Sequence, residues 1–311
     1  MTVLKTALAT YPHTRELKKG TVMLPGIRLE HVEIAPIRDA IHRMCRNLEF
    51  DVCEMAVTAY LTAKAYGKPF TALPVFVMRQ FPHALMVYNV KSGIASPKDL
   101  EGKKVGIRAY TVTTGVWGRG ILATKYGVDL DKITWVAVEE EHVEEYQNAC
   151  PPNVTYRIGG NLQEMVATGE LAAAIGVRPV DSPDVKPLIP DGADAAAAWY
   201  RETGIYPINH MVVVRDSLLQ SQPELGPQLF NAFKEAKEAF LAQLDLAGEL
   251  SADAQALAHR RNVVGNDPLP YGLQRNRKAV EAIIQLAQDQ KILQQKVKAE
   301  EMFASNTLDL E

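Results

Sequence analysis

The chain has 311 residues, 47% of them hydrophobic and 23% charged, enough to bury roughly three quarters of its extended-chain surface, which excludes a disordered or fibrous protein. At about 150 residues per domain, the length predicts two domains or lobes, each with its own core. Thirty-four Lys and Arg against 37 Asp and Glu give a formal net charge of −3 without a long basic run, so the electrostatic footprint of a nucleic-acid binder is missing.

In chain order, residues 4–9 form an apolar run ended by Tyr11-Pro12, and residues 27–34 alternate with period two; both predict strands. Pro36 suits a first helical turn, after which Ile37, Ile41, Met44 and Leu48 mark one face of an amphipathic helix. A strand over 50–55 follows, then a helix over 57–66 closed at Gly67. Residues 84–90 predict another strand. Ser92-Gly93 and Ser96-Pro97 then punctuate the chain. A new series begins there: strand 104–108, helix 114–126, strand 133–138, helix 161–168 and strand 171–177. Beyond a proline-rich loop and a short alanine run at 195–198 that predicts helix, His210–Arg215 gives one more strand. Ser221 and Glu224 have capping-box spacing ahead of a stripe of Leu225, Leu229, Phe233, Phe240 and Leu244, and Val280, Ile283, Ile284 and Ala287 mark a further helix.

This alternation predicts an α/β protein with largely parallel pairing. If the strands behind His83 and His210 both cross between lobes, residues 1–88 plus 209–311 form one discontinuous lobe and 89–208 the other, with a central cleft for a small ligand. Cys45, Cys53 and Cys150 lack a framework spacing and predict reduced, buried thiols. The first residues lack the apolar core of a signal peptide and no stretch reaches 18 apolar residues, so the expectation is a soluble, cytoplasmic protein without a membrane partner.

Ligands of open α/β sheets bind beyond the carboxyl ends of strands. Tyr11, His13 and Arg15 follow the first predicted strand, Glu54 and Thr58 end the third, and Tyr110, Thr111, Thr113 and Thr114 follow the strand at 104–108. The helix behind these threonines carries Gly115, Gly118 and Gly120, each costing about 1 kcal/mol relative to alanine. Two readings stand. In one, Thr113 and Thr114 cradle a carboxylate or phosphate at a helix N-terminus, Arg119 or Arg108 adds charge and Trp117 walls an aromatic ring. In the other, the glycines let the helix pack closely on a sheet. The spacing is not a dinucleotide or P-loop fingerprint.

Arg79 and His83 precede the first proposed crossing, as His210 opens the second. A mirrored pair of histidines would face one cleft; the ordinary alternative is two structural hydrogen-bonders. Glu54, alone in an apolar strand, is either functional or a carboxylate held by a backbone donor. His42, Cys45 and Cys53 do not complete a set of zinc ligands. The Glu139–Glu145 run around His142 predicts a solvated face, and no Gly-x-Ser-x-Gly elbow occurs.

The segments Phe50-Asp51-Val52-Cys53-Glu54-Met55, Pro74-Val75-Phe76, Arg79 through His83, Asp99 through Gly106, Val116-Trp117-Gly118-Arg119-Gly120, Thr203 through His210 and Gly265 through Asn276 stand in an order that resembles the 4,5-dihydroxyphthalate decarboxylase family. The resemblance runs from Tyr11 to Asn276 and beyond, and it implies the two-lobed type II periplasmic-binding-protein-like fold with two crossover strands. Departures from the family pattern are Arg108-Ala109-Tyr110-Thr111-Val112, where Pro-Glu-Tyr-Gln-Met is usual, Ala56 in place of serine, and Ala172 in place of an acidic residue. Arg108 makes its rim more positive and suits a different arrangement of carboxylates.

The implied activity is non-oxidative decarboxylation of a hydroxylated aromatic acid, by ring protonation and then CO₂ loss. Such a site needs a cation for the carboxylates and a proton carrier, a role that a histidine of pKa near ~6.5 fills. Arg79, Arg119 and the helix end at Thr113 and Thr114 are expected to hold the anion, His83 or His210 to move the proton, and Glu54 to orient or charge the imidazole. Arg15, Arg108, Tyr110 and Trp117 are further binding candidates, and the resemblance adds Tyr271 and Asn276. The route needs no organic cofactor; a divalent metal bridging Glu54 and a histidine is a lesser alternative. The expected partner is a small aromatic carboxylate, with a homo-oligomer left open. The rival reading is a solute-binding protein or ligand sensor using the same cleft without chemistry. Pyrimidine synthesis in the thiamine-precursor branch of the fold lacks a histidine-rich or cysteine-rich signature here.

Overall fold

The apolar periodicities become eleven strands and eleven α-helices among the described residues, 1–244 and 250–311, of a computed structural model. The chain opens with β1 (Thr2–Ala7), α1 (Arg15–Lys19), β2 (Ile27–His31), α2 (Ile37–Asn47), β3 (Val52–Ala56), α3 (Val57–Ala65) and β4 (Phe70–Arg79). It continues through β5 (Met86–Asn89), β6 (Lys104–Ile107), α4 (Thr113–Tyr126), β7 (Thr134–Ala137), α5 (Glu144–Gln147), β8 (Val154–Tyr156), α6 (Leu162–Ala167), β9 (Ala173–Ile175), β10 (Val185–Pro187) and α7 (Gly192–Thr203). Last come β11 (Ile208–Arg215), α8 (Asp216–Ser221), α9 (Leu225–Leu244), α10 (Ala252–Val264) and α11 (Leu273–Asp289).

Two compact units result: residues 1–79, 208–281 and 297–311, and residues 80–207 with 282–296. The segments 80–88 and 282–296 therefore join the second unit, where the sequence placed them in the first. β5 explains part of the shift, because it pairs with β9 and β10 and is no strand of the first sheet.

The first unit's sheet has the order β2-β1-β3-β11-β4. β1 is parallel to both neighbours, while β11 runs antiparallel to β3 and β4. All five residues of β3 are buried, as a central strand requires, and Glu54 is its only charge. β4 was missed in the sequence because Pro74 interrupts it; its edge position accommodates a residue with no N–H to donate. Ser221 closes α8 rather than capping the helix that follows.

In the second unit the order is β10-β5-β9-β6-β7-β8, parallel from β9 to β8 and antiparallel at β5 and β10. Pairing is thus mixed in both sheets. Val87, Val136, Leu162, Val166, Leu171 and Ala174 pack in the core of this unit. The glycines of α4 are explained in part by close packing: a Cβ at Gly118 would stand 2.7 Å from Ile175 Cγ2, and one at Gly120 2.5 Å from Leu286 Cδ1.

Candidate active site: a buried glutamate–histidine pair and a helix-end hollow

Strand register creates the first cluster. His210 lies opposite Ala56 and Val212 opposite Glu54 in the antiparallel β3–β11 pair, so Glu54 and His210 are diagonal neighbours on one face. The pairing of β11 with β4 is irregular on both sides of His210, a bulge of the kind that re-aims a side chain. Glu54 Oε1 meets His210 Nδ1 at 2.6 Å. The turn after β1, which is parallel to β3, brings two more donors: the Tyr11 hydroxyl to Oε1 at 2.6 Å and the Ala9 N–H to Oε2 at 2.9 Å.

Burial of Glu54 opposes its charge, yet the His210, Tyr11 and Ala9 contacts outweigh that cost and hold its carboxyl below the usual range. The ring of His210 keeps 18% of its side-chain surface exposed. With Nδ1 on the carboxylate, Nε2 is the nitrogen left for a reacting group. Among the described residues no group of three or more His, Cys, Asp and Glu is placed to hold a metal ion.

Other expected residues of this unit have different surroundings. Arg79 is 1% exposed, and its Nη2 donates to Asn276 Oδ1 and to the Pro270 carbonyl. These contacts give the Arg79 guanidinium a structural role in joining β4 to the segment around Pro270 and Asn276. Asn276 completes the contact by donating to the Pro270 and Gly272 carbonyls, so its amide is fully occupied. Tyr271 is a core side chain, 1% exposed, with Lys237 Nζ 4.7 Å from its ring centroid. Arg15 is exposed at the start of α1. His13, stacked on Tyr11, is buried, and that burial pulls its pKa down to about 4.

The second cluster lies at the carboxyl ends of β6 and β9 in the other unit. Ile107, Arg108, Ala109, Val112, Thr114, Gly115, Ile175 and Gly176 line a small, solvent-open hollow at the start of α4. Behind it, Arg119 is wholly buried: Nε donates to Gln290 Oε1 at 2.7 Å, Nη2 to the Tyr110 carbonyl at 2.6 Å, and the guanidinium lies 4.1 Å from the Tyr110 ring centroid. Its Nη1 has no hydrogen-bond partner among the described residues and sits 3.2 Å from where a Gly115 Cβ would stand. Gly115 therefore leaves room for a cation under the helix end, which the two packing glycines do not.

Three expectations change in this unit. Trp117 and Tyr110 are core residues, 1% and 4% exposed, and neither is among the residues that line the hollow. Arg108 is half-buried and bonded to Glu139 through Nε and Nη2 at 3.0–3.2 Å, which offsets the positive rim inferred from sequence. Glu141 and His142 are buried rather than solvated. Glu141 accepts from the Tyr110 and Thr111 N–H groups, the Thr111 hydroxyl and the Tyr156 hydroxyl, and thereby ties down the loop leading into α4.

His83 occupies an aromatic nest, 5.7 Å from the Trp199 ring centroid and 6.3 Å from that of Phe81. Burial pulls its pKa down to about 4, so it is neutral near pH 7. The mirrored grammar of the two histidines thus conceals different surroundings: one faces a carboxylate, the other aromatic rings.

The chain matches the family described as NMT1/THI5 like over residues 26–243. It is 29% identical to 4,5-dihydroxyphthalate decarboxylase from Comamonas testosteroni over 98% of this chain and 97% of that protein. It is 31% identical to the protein of the same name from Pseudomonas putida over 64% of this chain and 81% of that one. Among solved structures, the periplasmic aliphatic sulphonate binding protein SsuA from Escherichia coli aligns with a TM-score of 0.57 at 14% identity, covering 98% of this chain and 92% of that one. That likeness establishes the periplasmic-binding-protein fold expected from the sequence.

Proposed function

This chain belongs to the NMT1/THI5-like family and to that of the 4,5-dihydroxyphthalate decarboxylases, which are carboxy-lyases, and we propose that it removes CO₂ from a hydroxylated, phthalate-like aromatic acid with His210 as proton carrier. The contact between Glu54 and His210 Nδ1 is the observation that carries this assignment.

Direct loss of CO₂ from an arene would leave an aryl carbanion. A ring hydroxyl ortho or para to the carboxylate offers another route. As that hydroxyl gives up its proton to solvent, the ring carbon bearing the carboxylate takes one from protonated His210 Nε2, forming a non-aromatic ketone. The bond to the carboxylate then breaks, its electron pair restores the aromatic ring and regenerates the phenolate, and CO₂ departs. Reprotonation of the phenolate leaves a net exchange of CO₂ for a proton.

Glu54 keeps Nδ1 protonated and the ring in place, so that Nε2 alternates between acid and base. In the second unit, the start of α4, with Thr114 and Gly115 at the hollow and Arg119 beneath, is a separate candidate for binding an anion through helix-end donors and charge. The route calls on no organic cofactor.

The test is incubation with a panel of hydroxylated benzoates and phthalates while CO₂ is recorded. Release from an acid with an ortho or para hydroxyl, and none from its methyl ether, is expected. Thermal stabilisation by these acids with no CO₂ from any would instead make the protein a binder or sensor.

A further inference from the structure

The Tyr11 hydroxyl donates to Glu54 Oε1 at 2.6 Å, the same oxygen that His210 Nδ1 meets at 2.6 Å. Burial beside this carboxylate pushes the phenol's pKa far upward, so it is a permanent donor. Its ring is held from behind by His13, stacked at 5.2 Å between centroids with 9° between planes, and His13 in turn packs against Phe240 of α9. Tyr11 N–H donates to Thr14 Oγ1 and the Tyr11 carbonyl accepts from Thr14 N–H, which closes the turn.

We propose that Tyr11 is a positioning residue for His210, acting through Glu54: it draws negative charge away from the imidazole and fixes the carboxylate plane. The inference rests on the decarboxylase reading only for its effect on turnover. Two donors share Oε1, so removing the phenol hydrogen concentrates charge on the oxygen facing Nδ1 and stabilises the imidazolium.

Other titratable groups surround the pair. Cys53 on β3 is buried with its thiol pKa pushed up, and His13 is neutral near pH 7. Asp253 of α10 acts on Tyr11, and Lys237 of α9 on His13, through space. Arg79 of β4, which lies opposite Ile208, has its Nη2 on Asn276 and the Pro270 carbonyl. None of these donates a hydrogen bond to Oε1.

The experiment follows the His210 ring resonances by NMR over pH in the wild-type protein, Tyr11→Phe and Glu54→Gln, with His210→Asn for assignment. Tyr11→Phe keeps the stacked ring and is expected to raise the His210 titration midpoint by roughly half a unit to one unit, whereas Glu54→Gln lowers it. Replacement of Tyr11 by 3-fluorotyrosine, a stronger donor of nearly the same size, should move the midpoint down and serves if the phenylalanine variant does not fold. A midpoint unmoved within about 0.2 unit in whichever variant folds overturns the proposal, because the carboxylate then does not relay the phenol's effect. In a folded Tyr11→Phe variant, the acidic limb of the kcat/KM profile should shift upward with the midpoint, with kcat reduced roughly three- to thirtyfold and KM little changed. If the midpoint moves but wild-type protein releases no CO₂, the positioning role stands and the decarboxylase reading falls.

Discussion

Replacing Glu54 by Gln tests the buried pair most directly. The carboxylate accepts from Tyr11 OH, His210 Nδ1 and Ala9 N–H at 2.6, 2.6 and 2.9 Å, and it is 0% exposed. Hydrogen bonds to an ionised group contribute about 1.5–3 kcal/mol and neutral ones about 0.5–1.5, so loss of the charge weakens each contact by about 1 kcal/mol. The amide NH₂ must also face one of these donors. Relief of carboxylate burial offsets part of this, but the depressed pKa of Glu54 means that its partners outweigh its burial.

The expected loss is about 2–4 kcal/mol at pH 7, measured by urea unfolding of both proteins. Because the folded pKa lies below the unfolded value of about 4.3, the stabilisation is fully present above that pH and is lost as pH falls through the lower, folded value. The gap between the two proteins should therefore narrow on acidification. CO₂ release should also drop by about 10²-fold or more as the imidazole loses its orienting partner. A Gln variant as stable as wild type at pH 7, with an unchanged acid profile, would show that burial dominates and that the carboxylate's hydrogen bonds contribute nothing.

Three further outcomes are expected. His210→Asn should lower turnover by about 10²–10⁴-fold while circular dichroism and the unfolding midpoint stay near wild type, and an unaltered rate removes this imidazole from the mechanism. His83, with its pKa at about 4 when folded against about 6.5 unfolded, binds fewer protons folded than unfolded between those values. Stability should then decline from about pH 6.5 to 4 by roughly 3 kcal/mol on its account. His83→Asn should flatten that slope, leaving the share of His13; identical slopes would contradict the burial argument. Gly118→Ala would place a Cβ 2.7 Å from Ile175 Cγ2; overpacking of about 1–3 kcal/mol exceeds the helix-propensity gain of about 1, so the Tm should fall rather than rise.

The glycines of α4 show how far local reading goes. Their spacing in the sequence allows both a ligand cradle and a packing surface, and the structure assigns Gly118 and Gly120 to packing while Gly115 borders the hollow. The acidic run at 139–145 misleads for a related reason. Composition predicts a solvated face, but Glu141 is buried because Tyr110, Thr111 and Tyr156 supply donors from other parts of the chain.

From its residues alone the protein was legible as an α/β chain with strands and helices in nearly their observed places, and Glu54 stood out as a lone charge in an apolar strand. Those features come from hydrophobic period and backbone sterics, which act over a few residues. Tertiary structure decided which polar groups meet. Glu54 and His210 are 156 positions apart and touch through strand register, while Arg79 reaches Asn276 across 197 positions. A buried charge takes whichever partner the packed chain brings within about 3 Å, and nothing within ten residues on either side of it specifies that partner.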